Sequence, residues 1–414
     1  MAKELYKFQK DAIDQLLNGK HFIVAGCGAG KTAIAVVWAK HKCKETRKNK
    51  VLIVTTASKS RTGDFEEEDK EWNDDSEERR ELAVISWHKL SAWVQENEKT
   101  IGDYVIIFDE VQRGSAGISS GMGKAFLKIT KYNHDWAAFT GTPGDTWLKF
   151  YPYFTACNLV KGKMSFLANY ATVQTYKGYP EITEWRNQDK LKNMWAQISY
   201  APDTQKVMSE LPEQTHRVFT FSRPKTYAKT LKTRYSADGE FLDTAGALCA
   251  ELRRLCFTKE KQEWIKDFVT DLESGCVFFY NFIKTGDMLE EIMQKALPKD
   301  AKVWRIDGKH HDIPTAETIG KKDMVLCQWQ SGSEALNLQF LHYWVAVELC
   351  YSYSTANQAR GRIRRLGQKH PQWYGYLLTE GTIEQDILQC LKGKSEFSER
   401  VWCASNNIEV KEEK

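Results

Sequence analysis

The sequence predicts an α/β protein of two tandem lobes, each a mostly parallel sheet covered by helices, with a mainly helical or irregular insertion between them. Three observations carry this expectation. Residues 21–42 run in the order strand, glycine-rich loop, helix; two separate series of short apolar runs alternate with helical stretches; and an aromatic-rich segment interrupts that alternation. With 414 residues the chain exceeds one ordinary core and suits two or three domains.

Leu5, Phe8, Ile13, Leu16 and Leu17 have approximately helical spacing and stop near Asn18-Gly19, which predicts an opening helix. His21–Ala25 is a β-rich run that turns into Gly26-Cys27-Gly28-Ala29-Gly30-Lys31-Thr32, and Ala33–Lys42 then reads as a helix. Further strands are expected at Val51–Thr55, Leu82–Ser86, Tyr104–Phe108 and Ala137–Thr140. Their continuous apolar character is that of parallel strands buried on both faces.

From Phe150 to about Pro212 the pattern gives way to sequence rich in aromatics, including Tyr151, Tyr153, Phe154, Phe166, Tyr170, Trp185 and Trp195. Such residues either form the core of a helical insertion or offer a surface on which nucleic-acid bases stack. A second strand series begins at His216–Phe221 and continues through Cys276–Tyr280, Val303–Ile306, Met324–Cys327, Tyr343–Val347 and Tyr374–Leu378. Helices at Asp287–Ala296 and Ala356–Arg364 separate some of these strands. The expected divisions are 1–149, 150–212, 213–395 and a tail of 396–414.

Composition narrows the class. Hydrophobic residues at 42% and charged residues at 28% describe a folded chain rather than a disordered one. No apolar run approaches the roughly 20 residues that span a bilayer, and Met1–Lys10 has no apolar core like that of a signal peptide. A cytoplasmic protein without membrane contact is expected. The ten cysteines never form a C-x-x-C pair, so they read as small buried apolar groups in a reducing compartment rather than as a zinc site. His310 and His311 read as a solvated loop. A net charge of +4 does not single out a polyanionic partner. Its distribution is more informative, with acidic residues dominating Glu66–Glu81 and Arg360, Arg362, Arg364, Arg365 and Lys369 clustered near the C-terminus.

Ala25-Gly26-Cys27-Gly28-Ala29-Gly30-Lys31-Thr32 matches a P-loop except for alanine at its first position. Gly26, Gly28 and Gly30 would let backbone N–H groups wrap phosphate oxygens, and the following helix adds a favourable dipole. Lys31 would hold the β and γ phosphates, and Thr32 would place its hydroxyl on Mg²⁺. The apolar run Val105–Phe108 leads straight into Asp109-Glu110. Asp109 is expected to bind Mg²⁺ through water, and Glu110 to orient or deprotonate the attacking water. Together the two motifs indicate hydrolysis of a nucleoside triphosphate with Mg²⁺.

The motif series resembles the SNF2-like branch of the superfamily 2 helicases and translocases, over Phe8 to about Cys390. The resemblance implies two RecA-like P-loop lobes. Phe8-Gln9 is similar to the family's adenine-recognition motif, in which Gln9 would pair with adenine N6 and N7. Thr55-Thr56-Ala57 with Lys59, and Ser86-Trp87, are similar to motifs that touch the nucleic-acid backbone, which implies contacts from Thr56, Lys59 and Ser86; turn or capping roles are the alternative. Asp109-Glu110-Val111-Gln112 departs from the usual histidine at its last position. Gln112, with Thr140 and Thr142 of Thr140-Gly141-Thr142-Pro143, would couple hydrolysis to lobe movement. Ser331–Leu338 resembles a further motif, with Ala335 where glycine is expected and Asn337 as a nucleic-acid contact.

Gln358-Ala359-Arg360-Gly361-Arg362-Ile363-Arg364-Arg365-Leu366-Gly367-Gln368 is similar to the family's arginine motif. Gln358 would belong to the nucleotide site, and Arg362 and Arg365, three apart, would share a helix face that reaches the phosphates. Arg360 and Arg364 would be surface or backbone contacts.

The resemblance implies an ATP- and Mg²⁺-dependent motor on double-stranded DNA, with branched DNA, single-stranded DNA or RNA as other tracks and a protein on DNA as a further partner. It would be a monomer of compact bacterial or phage type. A strand-separating helicase is the alternative, and a nucleotide-switched nucleic-acid-binding scaffold a third. The acidic run Glu66–Glu81 would be a solvated face or would limit unproductive DNA binding.

Overall fold

The computed structural model describes residues 4–26, 28–57, 59–72, 80–115, 120–144, 146–176, 179–204, 207, 209–310, 312–332 and 336–411. Much of the acidic run, His311 and residues 333–335 lie outside the described residues. The chain divides into two compact units, Met1–Met208 and Ser209–Lys414.

In the first unit the strands are β1 (Phe22–Val24), β2 (Lys50–Thr55), β3 (Glu81–Ser86), β4 (Tyr104–Asp109) and β5 (Trp136–Thr140). A hairpin follows, β6 (Ala171–Tyr176) and β7 (Tyr179–Trp185), and then β8 (Ser199–Tyr200). The main sheet has the order β3-β2-β4-β5-β1-β8, and every pairing in it is parallel. The crossovers required by parallel pairing put helices on its faces, which is why β2 and β4 are apolar almost throughout.

The helix Lys31–Thr46 buries an unbroken run from Ala33 to Ala39, so it is covered on all sides rather than along one stripe. It starts two residues earlier than the apolar pattern suggests because Gly30, with a left-handed φ of 69°, caps it.

The segment after residue 150 holds helices Lys163–Tyr170 and Gln188–Ile198 as well as the antiparallel hairpin β6–β7. Its aromatics answer the question the sequence left open. Tyr153, Phe154 and Phe166 are buried in the same core as Phe22, Phe108 and Ala138 of the sheet. Trp185 and Trp195 pack against that core. Neither the hairpin nor the short β8 at the sheet's edge was expected, because their sequences lack a sustained period-2 apolar pattern.

The second unit contains β9 (Gln214–Phe221), β10 (Cys276–Tyr280), β11 (Val303–Ile306), β12 (Met324–Gln328), β13 (Tyr343–Ala346) and β14 (Gln372–Thr379). These form a sheet in the order β11-β12-β10-β13-β14-β9, again parallel in every pair. Side chains alternate between its two faces. Val277, Phe279, Val325 and Trp344 enter one core, while Cys276, Phe278, Leu326 and Val345 enter the other.

One expected helix ends early. The structure gives Tyr353–Arg360 in place of Ala356–Arg364, so Arg362 and Arg365 lie beyond the helix and do not share one of its faces. Gly361 ends the helix, and tertiary hydrogen bonds then take up the following backbone: Leu338 N–H donates to Arg362 O at 3.2 Å.

Cys43, Cys249, Cys256, Cys276, Cys327, Cys350 and Cys403 are buried free thiols. Desolvation pushes Cys43 up to about 11, so it has no tendency to form a reactive thiolate. Among the described residues, no helix is long and apolar enough to cross a membrane.

Candidate nucleotide site

Parallel strands present their C-terminal ends at one edge of a sheet, and loops leaving that edge are where ligands bind in open α/β sheets. In the first unit, β1, β2, β4 and β5 end there in chemically active residues.

The loop after β1 holds Gly26, Gly28 and Gly30. Gly28 and Gly30 have φ of 80° and 69°, a backbone region that L side chains rarely adopt. Cys27 lies outside the described residues. The loop's buried Ala25, at the position where the P-loop pattern has glycine, donates its N–H to Thr140 O at 3.0 Å. Lys31 Nζ donates to Ala25 O at 2.9 Å and Gly26 O at 3.1 Å, holding the ammonium over the loop. Gly141 approaches the same point: a Cβ there would sit 3.5 Å from Ala25 O and 3.9 Å from Lys31 Nζ.

Asp109 closes β4 and is buried. Its Oδ2 accepts from Thr55 Oγ1 at 2.7 Å and from Lys59 Nζ at 3.0 Å, and its backbone oxygen accepts from Trp87 Nε1 at 2.9 Å. Burial by itself pushes this carboxyl upward. The Lys59 ammonium, the Thr55 hydroxyl and Lys31 outweigh that effect, so Asp109 is held below the ordinary carboxylate range and is ionised at neutral pH.

Lys59 Nζ also donates to Thr32 Oγ1 at 3.2 Å. Thr32 and Asp109, both expected at Mg²⁺, therefore converge on a single point already suited to a cation. A hydroxyl and a carboxylate are hard oxygen donors of the kind Mg²⁺ takes, so these residues fit the ion.

Glu110 follows with a left-handed φ of 49°, unusual for a residue with a side chain. Its Oε2 accepts from Gln112 Nε2 at 2.6 Å. Thr140 Oγ1 in turn donates to Gln112 Oε1 at 2.6 Å and accepts from Thr142 N–H at 3.0 Å. Glu110, Gln112, Thr140 and Thr142 thus form one continuous hydrogen-bonded chain across the ends of β4 and β5.

Gln9 is buried on the helix Lys7–Leu17, where its Oε1 accepts from Tyr6 N–H at 2.9 Å. The amide therefore caps its own helix; a second lone pair on Oε1 and the NH₂ group are what an adenine edge would meet.

Of the four expected nucleic-acid contacts, Thr56, Lys59 and Ser86 lie in the first unit and Asn337 in the second. Thr56 is buried and its hydroxyl accepts from Lys59 N–H at 3.3 Å, a local capping bond. Ser86 is buried at the end of β3. Lys59 has its ammonium against Thr32 and Asp109, and Asn337, in the second unit, is exposed with Oδ1 3.4 Å from Gln339 N.

In the second unit Gln358 lies on the helix Tyr353–Arg360, and the buried Arg362 donates from Nη1 to Leu336 O at 3.4 Å. Gln368 pins the arginine segment. Its Nε2 lies 2.9 Å from Gln339 O, 3.0 Å from Leu341 O and 2.9 Å from Ile363 O, while Oε1 accepts from Lys369 N–H and His370 N–H. Thr55, Trp87 and Gln368 are the supporting residues not assigned such roles from sequence. Each stood inside a recognised motif, but Thr55 and Trp87 bond to Asp109, and Gln368 bonds to Gln339 and Leu341 as well as to its own neighbours.

Residues 2–145 match the family described as type III restriction enzyme, res subunit. A putative helicase of Invertebrate iridescent virus 6 is 26% identical over 126 residues, 30% of this chain and 21% of that protein. A Drosophila melanogaster protein named SWI/SNF-related matrix-associated actin-dependent regulator of chromatin subfamily A-like protein 1 is 25% identical over 190 residues, 44% of this chain and 24% of that one. The chain thus spans about a quarter or less of these relatives' lengths. Among solved structures, the Sulfolobus solfataricus SWI2/SNF2 ATPase core in complex with dsDNA aligns over 95% of this chain and 92% of its own, with 16% identity and a TM-score of 0.44.

The family match and the sequence relatives make part of the chain similar to helicase-type proteins, and the glycine loop and the Asp109 carboxylate both lie within the matched residues 2–145. A protein with an SNF2-related name is among the relatives that part of the chain matches.

Proposed function

We propose that the protein is an ATP-dependent translocase on double-stranded DNA. The observation that carries the proposal is the convergence of Thr32 Oγ1 and Asp109 Oδ2 on one point beside the P-loop.

On this proposal the N–H groups of the glycine loop and Lys31 bind the β and γ phosphates of ATP, exchanging the loop's own carbonyls for phosphate oxygens. Thr32 and Asp109 hold Mg²⁺, whose charge offsets that of the triphosphate. Glu110 orients the attacking water and takes its proton, a role supported by the amide that fixes its carboxylate. Arg362 and Arg365 of the second unit supply positive charge to the γ phosphate, so that turnover needs both units. The chain from Glu110 through Gln112 to Thr140 and Thr142 then transmits the loss of that phosphate to the ends of β4 and β5. Contact with DNA is through its phosphates, giving strong salt dependence and little sequence preference.

Steady-state ATPase activity without nucleic acid and with single-stranded, duplex and branched DNA or RNA tests this directly. Stimulation by blunt duplex, with displacement of a third strand from a triplex but no separation of the duplex beneath, is expected. Equal turnover with and without DNA overturns the proposal, and strand separation assigns the protein to the unwinding helicases.

A further inference from the structure

A fully buried carboxylate needs a counter-charge or it protonates. For Asp109 the structure supplies that charge from Lys59, 50 positions away in sequence. Lys59 begins the short helix Lys59–Thr62 after β2, and its ammonium lies against Asp109 Oδ2 at 3.0 Å, Thr32 Oγ1 at 3.2 Å and the Phe65 ring, whose centroid is 4.4 Å away. Phe65 is itself buried, so the ring is a fixed wall behind the cation. A carboxylate, a hydroxyl and an aromatic face together make a cation receptacle, and the cation in it belongs to the chain.

The two oxygens holding the ammonium are the two that would hold Mg²⁺. A hydrated Mg²⁺ held by Thr32 Oγ1 and, through water, by Asp109 would fill the space that the ammonium occupies, and like charges repel at that separation. We propose that Lys59 is a tethered competitor for the divalent cation: it neutralises Asp109 in the metal-free protein and must leave before Mg²⁺ enters with the nucleotide. This rests on the assignment of Thr32 and Asp109 as the metal-holding pair.

The competition has a thermodynamic signature. Breaking the Lys59 contacts subtracts from the free energy of metal binding, so removing the ammonium tightens metal binding even though it removes a contact from the resting protein. A lysine whose role is to bind the triphosphate would behave oppositely, since its loss would weaken nucleotide binding and the metal bound with it.

The test uses the full chain, ADP and Mn²⁺, with free Mn²⁺ read by electron paramagnetic resonance, so no turnover is involved. Lys59→Met removes the charge at similar length. Lys59→Gln retains a donor for Asp109, in case Lys59→Met does not fold. The expected result is Mn²⁺ binding about tenfold tighter in the substituted chains than in the wild type. Mn²⁺ with ADP should also raise the melting temperature of Lys59→Gln more than that of the wild type, whereas a residue that only packs would give equal increments. Equal or weaker Mn²⁺ binding in both variants overturns the competition. Asp109→Asn separates the two levels of the argument. If nucleotide-linked Mn²⁺ binding in the wild type is unaffected by Asp109→Asn, the metal assignment itself fails and the inference with it.

Discussion

The side-chain amide of Gln112 donates to Glu110 Oε2 at 2.6 Å, and its carbonyl accepts the Thr140 hydroxyl at 2.6 Å. A single side chain thereby links the residue proposed to activate water to the end of the neighbouring strand. Histidine is the residue the family resemblance leads one to expect at this position. Glutamine retains both a donor and an acceptor and carries no charge that titrates near neutrality.

Gln112→Ala should lower kcat about tenfold, the order expected for losing one charge-assisted hydrogen bond, with little change in KM for ATP. Steady-state kinetics at saturating DNA provide the check. An effect confined to KM would show that the amide serves ATP binding rather than the positioning of Glu110.

Glu110 combines a proposed chemical role with a left-handed backbone. Glu110→Gln should keep nucleotide binding while slowing hydrolysis by roughly 10²–10⁴-fold, the usual range for a general base. Glu110→Gly should also abolish turnover, yet raise the melting temperature by about 2 °C because glycine relieves the backbone cost of φ 49°. Measuring melting temperature and turnover on both variants separates backbone strain from chemistry.

Asp109 predicts a pH dependence of stability. Its native value lies below the ordinary carboxylate value of 3.8 because Lys59, Thr55 and Lys31 overcome its burial. A group depressed in the folded state contributes stability that is complete above its unfolded value and is lost as pH falls through its folded value. The stability advantage of the wild type over Asp109→Asn should therefore be constant from pH 7 to about pH 5, then shrink below pH 3.8. Denaturant unfolding of both chains across that range measures it, and a gap that widens in acid would reverse the sign assigned to the shift.

Gln368 offers a test in the second unit. Gln368→Ala would strand carbonyls at Gln339, Leu341 and Ile363 and the N–H groups of Lys369 and His370. A loss of about 2 kcal/mol is expected, at the scale of leaving buried polar groups unpaired. Because the same bonds hold the segment carrying Arg362 and Arg365, ATPase activity should fall even at temperatures where the variant is fully folded. Urea unfolding and kinetics on one preparation check both halves.

Local sequence was enough to locate most of the strands, because β2, β4, β10 and β12 are apolar runs of the length that a parallel sheet buries on both faces. It also located the glycine loop, since left-handed turns at Gly28 and Gly30 favour residues without a Cβ, and it put Asp109 at a strand end. These properties follow from the order of neighbours along the chain. The tertiary structure decided what those neighbours meet: that Lys59 reaches Asp109, that Gln112 bridges Glu110 and Thr140, that the aromatic segment packs beneath the first sheet, and that the helix before Arg362 stops at Arg360. The physical reason is that charge compensation and hydrogen-bond pairing in a buried site are settled only when packing has removed water from both partners, whether these are near in sequence, as Gln112 and Glu110 are, or far apart, as Lys59 and Asp109 are.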